Sequence, residues 1–147
     1  MPSPSPQPAD HIFFRLATEW YALPVSQMRT IDRWQAPTPV PGTQPAILGI
    51  VSQRGAIITV IDARVLIGLP VEPPTRATRL LGVQHGEVPL ALVADRVADL
   101  LPLDPDALQP VPGGRAASLS AGLARTPFGP TSLLSLEALL DTIRGAP

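Results

Sequence analysis

The stretch Gly49–Arg64, GIVSQRGAIITVIDAR, carries two apolar runs separated by a polar break. Ile47, Leu48, Ile50 and Val51 lie before the break, and Ile57, Ile58, Val60 and Ile61 after it. Both runs are of strand length and rich in β-branched residues, which pack well on a pleated sheet. Gly55 accepts positive φ without steric cost, so Gln53 to Gly55 reads as a tight turn and the whole stretch as a β-hairpin. Arg54 then stands at the tip. A guanidinium on a rigid turn offers five donors in a fixed fork, suited to a partner's carboxylate or carbonyl groups, and equally serves as a solubilising turn residue.

The chain around this hairpin has 147 residues, enough for one ordinary domain or two small barrels sharing a core. Its apolar fraction of 45% supports a globular interior. All 11 basic residues are Arg, and 12 acidic residues bring the formal net charge to -1, which excludes the broad basic field of a nucleic-acid binder. With no Cys, disulfides, thiolate nucleophiles and the usual structural zinc sites are all excluded. No apolar run reaches the length of a membrane span, so direct membrane insertion is not expected. The start, MPSPSPQPAD, lacks the features of a signal peptide and predicts a disordered, polyproline-like tail over residues 1–10, with the folded domain over 11–147 and cytoplasmic residence.

Outward from the hairpin, short strands recur. IFFRLATEWYA predicts two strands turning at Ala17 to Glu19, and RLLGVQHGEVPLALV two more around His85 to Glu87. In LPVSQMRTIDRW, Val25, Met28 and Ile31 are three apart, which fits a helical turn or a twisted strand. The proline-rich QAPTPVPGTQP must be loop, and ARVLI a brief helix or turn stopped by Gly68 and Pro70. DRVADLLPL reads as a strand, RAASLS as a mobile loop, and SAGLAR with PTSLL as a final hairpin. A closing helix follows, with Ser135 as N-cap and Leu136, Leu139, Leu140 and Ile143 on one face. About ten short strands with one sure helix argue for small β-barrels.

Catalytic and metal-binding motifs are missing. His11 and His85 are too few for a zinc site. Asp104 and Asp106 read as solvated loop charge, while Asp95 pairs with Arg96 or caps a turn. There is no nucleophile elbow, phosphate loop or dinucleotide fingerprint. The residues therefore point away from an enzyme and imply no cofactor.

The segments YALPVSQMRTI, VPGTQPAILGIVSQRGAIITVIDAR, LALVADRVADLLPLDPDALQPVP and SLLSLEALL, in that order, resemble the CheW-like domain from about Ile12 to Ile143. The most specific match is the central motif, carried by Gly49, Arg54, Gly55, Asp62 and Arg64. The chain departs from the family pattern at Thr30, Ser52, Gln53, Thr59, Ala63 and Ser135. The resemblance implies a mainly β fold of two five-stranded SH3-like barrels sharing a core, with a short C-terminal helix and no catalytic activity. It implies an adaptor in a bacterial chemosensory array, at the inner face of the membrane through its receptors. The implied partners are the regulatory domain of a CheA-type histidine kinase and the cytoplasmic tip of a chemoreceptor.

On that reading Arg54 and Gln53, at the hairpin tip, are candidate partner contacts. Met28, Thr30 and Ile31 join them, since Met28 and Ile31 form either an exposed apolar patch for a receptor hairpin or part of the core. Gly49 and Gly55 are expected as backbone requirements, and Asp62 and Arg64 as a local structural pair. Val88, Leu90 and Val97 are core residues or a face toward the kinase. Two alternatives stand beside this one: a CheW-like scaffold of a type IV pilus or surface-sensing pathway, and a small-molecule-binding barrel with a polar-lined cavity.

Overall fold

The computed structural model describes residues 9–113 and 115–145. Strands β1 (Ala9–Leu16) and β2 (Glu19–Pro24) form the first hairpin, and a 3₁₀ turn (Val25–Gln27) leads into β3 (Met28–Arg33). The hairpin read from the central motif follows as β4 (Ile47–Gln53) and β5 (Ala56–Ile61), then the short helix α1 (Ala63–Ile67). Next come β6 (Arg79–His85), β7 (Val88–Ala94) and β8 (Arg96–Leu103), the helical turn α2 (Arg115–Ser118), β9 (Ser120–Thr126), β10 (Gly129–Leu134) and helix α3 (Leu136–Gly145). The tail expected over 1–10 lies outside the described residues as far as residue 8, whereas Ala9 and Asp10 pair with Leu103 and Pro102 as part of β1.

The ten strands form two five-stranded sheets, in the orders β8-β1-β2-β10-β9 and β3-β6-β7-β5-β4. The two orders are the same plan. Each sheet holds two antiparallel hairpins joined by a parallel pair, β2 with β10 in the first and β5 with β7 in the second, plus one edge strand, β8 or β3. Neither ladder closes among the described residues, but each is wrapped by one isolated bridge from the chain beyond its edge strand. Thr38, after β3, bridges Ile50 of β4, and Gln109, after β8, bridges Leu123 of β9.

Alternation along the strands explains why both faces of each sheet are apolar. In β1, Ile12, Phe14 and Leu16 enter a core shared by both sheets, while Phe13 points the other way to meet Ala22, Leu103 and Ala124. In β6, Leu81 and Val83 enter the shared core while Leu80 packs with Val51, Val60, Ala91 and Val93. Leu136, Leu139 and Leu140 of α3 cap the shared core, and the Ser135 hydroxyl accepts the Ala138 N–H at 3.1 Å as the expected N-cap. Each fully buried Leu, Ile or Phe here contributes about 1.5–3 kcal/mol of transfer free energy.

Three local expectations resolve against the structure. Val25–Gln27 is a 3₁₀ turn and Met28–Arg33 a strand, so both readings of that segment apply in succession. Residues read as a mobile loop at RAASLS instead form α2 and the start of β9, held by Leu119, which is buried in the shared core. Leu90 is buried in the shared core, and Val88 and Val97 are partly buried and pack against it, which is the core role of the two expected for these residues.

Candidate partner-binding surface

The β4–β5 hairpin closes at the Gln53–Ala56 pair, leaving a two-residue turn with Arg54 at φ 49° and Gly55 at φ 79°. Two positive φ values define the type I′ turn whose twist matches paired strands. Glycine meets this geometry freely, and a Cβ at Gly55 would touch nothing within 4 Å. Arginine is an expensive choice for the other position, where Asn or Gly would be at ease. The Arg54 side chain is 72% exposed, and its Nη2 lies 3.7 Å from Asp32 Oδ1, a distance that restrains the guanidinium loosely. The other carboxylate oxygen of Asp32 is buried without a hydrogen-bond partner, which leaves acceptor capacity beside the arginine.

Arg54, Gln53 and Thr30 line one groove of about 270 Å³ on the second sheet. Met28, Thr30 and Ile31 line a neighbouring groove of about 340 Å³, together with Val25 and Leu100. Thr30 and Arg29 belong to both, so strand β3 forms a rib between a charged hollow and an apolar one. The five candidate contact residues are thus brought onto one continuous surface. Ile31 is 50% exposed, while Met28 also packs against the shared core. Val25 and Leu100 were not foreseen as part of this patch. Both are exposed large apolar residues, and they meet because Leu100 of β8 pairs with Ile12 on the edge of the first sheet, next to the β3 edge of the second.

The other end of the central motif is buried. Asp62 caps α1 by accepting the Arg64 N–H at 3.0 Å, and its two oxygens accept from Arg64 Nε and Nη2, both at 2.9 Å. Arg64 Nη1 donates to Asp95 Oδ1 at 2.7 Å, and Asp95 Oδ2 in turn accepts the N–H of Ala17 at 2.7 Å. Asp95 therefore caps a turn, one of its two expected roles, and takes Arg64 rather than Arg96 as its cation. The network runs from α1 beside the second sheet to the β1–β2 turn of the first. Burial acts to lower the Arg64 pKa, but hydrogen bonding to Asp62 and the charges of Asp62, Asp95 and Glu72 outweigh it and raise the pKa. Nearby, Tyr21 is held un-ionised well above its ordinary range, first by burial and then by its hydrogen bond to Glu19 Oε2 at 2.9 Å and that group's charge.

Gly49 answers to a close approach. A Cβ there would sit 2.1 Å from the Thr38 carbonyl oxygen, because the Thr38–Ile50 bridge presses the proline-rich loop onto β4. Among the described residues no group of three or more His, Cys, Asp or Glu side chains is placed to hold a metal ion.

Comparison with known proteins agrees with this architecture. Residues 10–144 match the model of the CheW-like domain. The chain is 31% identical over 103 residues to "Chemotaxis protein CheW" of Bacillus subtilis, covering 70% of this chain and 66% of that protein. It is 30% identical over 101 residues to the Helicobacter pylori protein of the same name, covering 69% and 61%. The match thus spans somewhat less than two thirds of these relatives. A weaker likeness, 24% over 86 residues, is to "Protein PilI" of Pseudomonas aeruginosa, covering 58% of this chain and 48% of that one. The crystal structure of scaffolding protein TtCheW from Thermoanaerobacter tengcongensis superposes with a TM-score of 0.82 at 26% identity, covering 90% of this chain and 87% of that one. Two matched five-stranded sheets around one core, and a family match over nearly the whole chain, show that it belongs to the CheW-like domain family.

Proposed function

We propose that the chain is a non-enzymatic adaptor that couples chemoreceptors to a CheA-type histidine kinase in a bacterial chemosensory array. The observation that carries this reading is the placement of Arg54. A well-exposed arginine occupies a left-handed turn position that another residue would fill at lower cost, and it opens onto a groove continuous with an apolar one. The hairpin tip, with Arg54 and Gln53, meets the regulatory domain of the kinase. The apolar groove at Val25, Met28, Ile31 and Leu100 receives the helical hairpin tip of a receptor, as an amphipathic helix lays its apolar face into a groove.

Such a protein acts through differential contact. A receptor state that binds the adaptor–kinase pair more tightly shifts the kinase toward the matching conformation, and the shift is bounded by that difference in affinity. Interfaces of about 1,200–2,000 Å² suffice, because an array multiplies weak contacts. Cytoplasmic residence beneath the receptors belongs to the same proposal, and among the described residues no helix is long and apolar enough to cross a membrane.

The test is size-exclusion chromatography with light scattering on the chain mixed with the regulatory domain of its own organism's CheA-type kinase. A shared peak for wild type that is lost for Arg54→Ala supports the reading. A shared peak retained by Arg54→Ala moves Arg54 to the receptor side, and no complex at all removes the adaptor. The likeness to Protein PilI favours a second reading, a CheW-like scaffold of a type IV pilus or surface-sensing pathway, in which the kinase that co-elutes is that pathway's own.

A further inference from the structure

Three arginines gather around a tryptophan at one end of the second sheet. Arg33 ends β3 and Arg79 opens β6, and the two stand directly opposite each other in the antiparallel ladder. Arg76 lies in the loop just before β6, and with Trp34, Thr75 and Thr78 these arginines line an open groove of about 500 Å³. Like charges placed opposite one another across a ladder oppose folding. No carboxylate relieves them: the ion pairs among the described residues belong to Arg54 and Arg64.

The surface is nevertheless held in shape. Arg79 Nη1 donates to the carbonyl oxygens of Arg76 and Thr78 at 2.7 and 2.9 Å, and the Thr75 N–H donates to the buried Thr78 hydroxyl at 2.8 Å. The Thr75 hydroxyl accepts the Ala77 N–H at 3.1 Å, so the loop carrying Arg76 is braced on both sides. Trp34 packs against the Val51, Val60 and Leu80 cluster and so anchors the floor. None of these residues is used by the adaptor role proposed above.

We infer that this groove binds a carboxylate-rich peptide segment of a partner protein. Its chemistry is oxyanion recognition, for which guanidinium groups are the fitting donors. Nucleic acid is a poor fit, because the chain as a whole is net negative and three arginines are few for the phosphate contacts of a nucleic-acid binder. A small organic anion is also a poor fit, since Trp34 is the only large apolar group in the lining and small-molecule pockets are mostly apolar. An open, cationic groove without its own counter-charge matches an acidic segment laid along it.

The test uses fluorescence. The chain has two tryptophans, and Trp20→Phe leaves Trp34 as the sole indole reporter. This variant is titrated with a hexaglutamate peptide at about 20 mM and about 500 mM salt, which changes screening several-fold. The expected result is saturable change in Trp34 emission at low salt, suppressed at high salt, and weakened about tenfold by Arg33→Gln with Arg79→Gln. Those two substitutions relieve the like-charge pair, so urea unfolding at an equal or higher midpoint shows that lost binding is not lost folding. Arg76→Gln, on the loop, gives an independent second variant with a smaller loss. Absence of saturable binding at low salt overturns the inference, as does binding unchanged in both variants. Saturation by inorganic phosphate while the peptide leaves Trp34 unaffected overturns the peptide as occupant.

Discussion

The β4–β5 and β9–β10 hairpins occupy the same place in their two sheets and end differently. Each is joined in parallel to a neighbouring hairpin, and each carries a glycine, Gly49 or Gly122, as the third residue of its first strand, beside an isolated bridge from a loop. At the β9–β10 tip, Phe128 folds back so that its ring lies 5.3 Å from Phe13 and 4.6 Å from Trp20. At the β4–β5 tip, Arg54 stands in solvent, and Ile57 behind it is 69% exposed. Repetition of a topology therefore does not repeat its surface. The first sheet uses its tip to complete its own interior, while the second leaves its tip free, and the candidate contacts lie mostly on the second.

The strongest way to break the comparison is to remove the joint between the sheets. Arg64→Ala leaves Asp62 and Asp95 buried without their cation, and urea unfolding should show a loss of about 3–5 kcal/mol. Arg54→Ala, ten positions earlier in the same motif, should change stability by less than about 1 kcal/mol. Equal losses at the two arginines would refute the division into a structural end and a surface end.

The matched glycines sharpen it next. Gly49→Ala drives a Cβ into the Thr38 backbone at an unfavourable φ, and should cost about 3 kcal/mol in urea unfolding. Gly122 also has a positive φ, 155°, but a Cβ there would meet Leu108 Cβ and Cδ2 at 3.1 and 3.3 Å and require only a few tenths of an ångström of give, so Gly122→Ala should cost less by the same measurement.

A smaller effect isolates the turn. Arg54→Asn places an Asn-Gly pair in the type I′ geometry and should raise stability by about 0.5–1 kcal/mol in thermal or urea melts. Kinase co-elution should meanwhile fall as it does for Arg54→Ala. A destabilised Arg54→Asn would make the arginine a structural residue.

The smallest effect is confined to alkaline pH. Tyr21 keeps its proton in the folded chain to higher pH than in the unfolded chain, so above about pH 10 the unfolded state binds fewer protons and stability falls as pH rises. Unfolding followed as a function of pH should show this decline in wild type, and Tyr21→Phe should flatten it.

Much of this was legible in the chain. The alternating apolar runs gave the strands, Gly55 located the turn, and Ser135 with its leucines located α3, because these depend on side-chain periodicity and local backbone freedom. Other features were not. RAASLS reads as loop from its small polar residues, yet Leu119 at its end is buried by contacts from distant strands. Val88 and Leu90 look alike whether they face solvent or core, because β7 is buried along most of its length and loses its alternation. Leu100 falls in DRVADLLPL, which reads simply as a strand, and only the sheet order shows that this strand is an edge and the residue exposed.

What the sequence determined by itself was local: which segments are strands, where they turn, and which residue types the central motif carries. Hydrophobic period and turn chemistry act over a few residues, and so they can be read there. Only the tertiary structure decided that β8, β9 and β10 return to complete a sheet begun by β1 and β2. It also decided that Asp95 joins Arg64 to Ala17, and that Val25 and Leu100 meet beside Ile31. Those pairings link residues far apart in the chain, and their free energy exists only once the loops between them have closed.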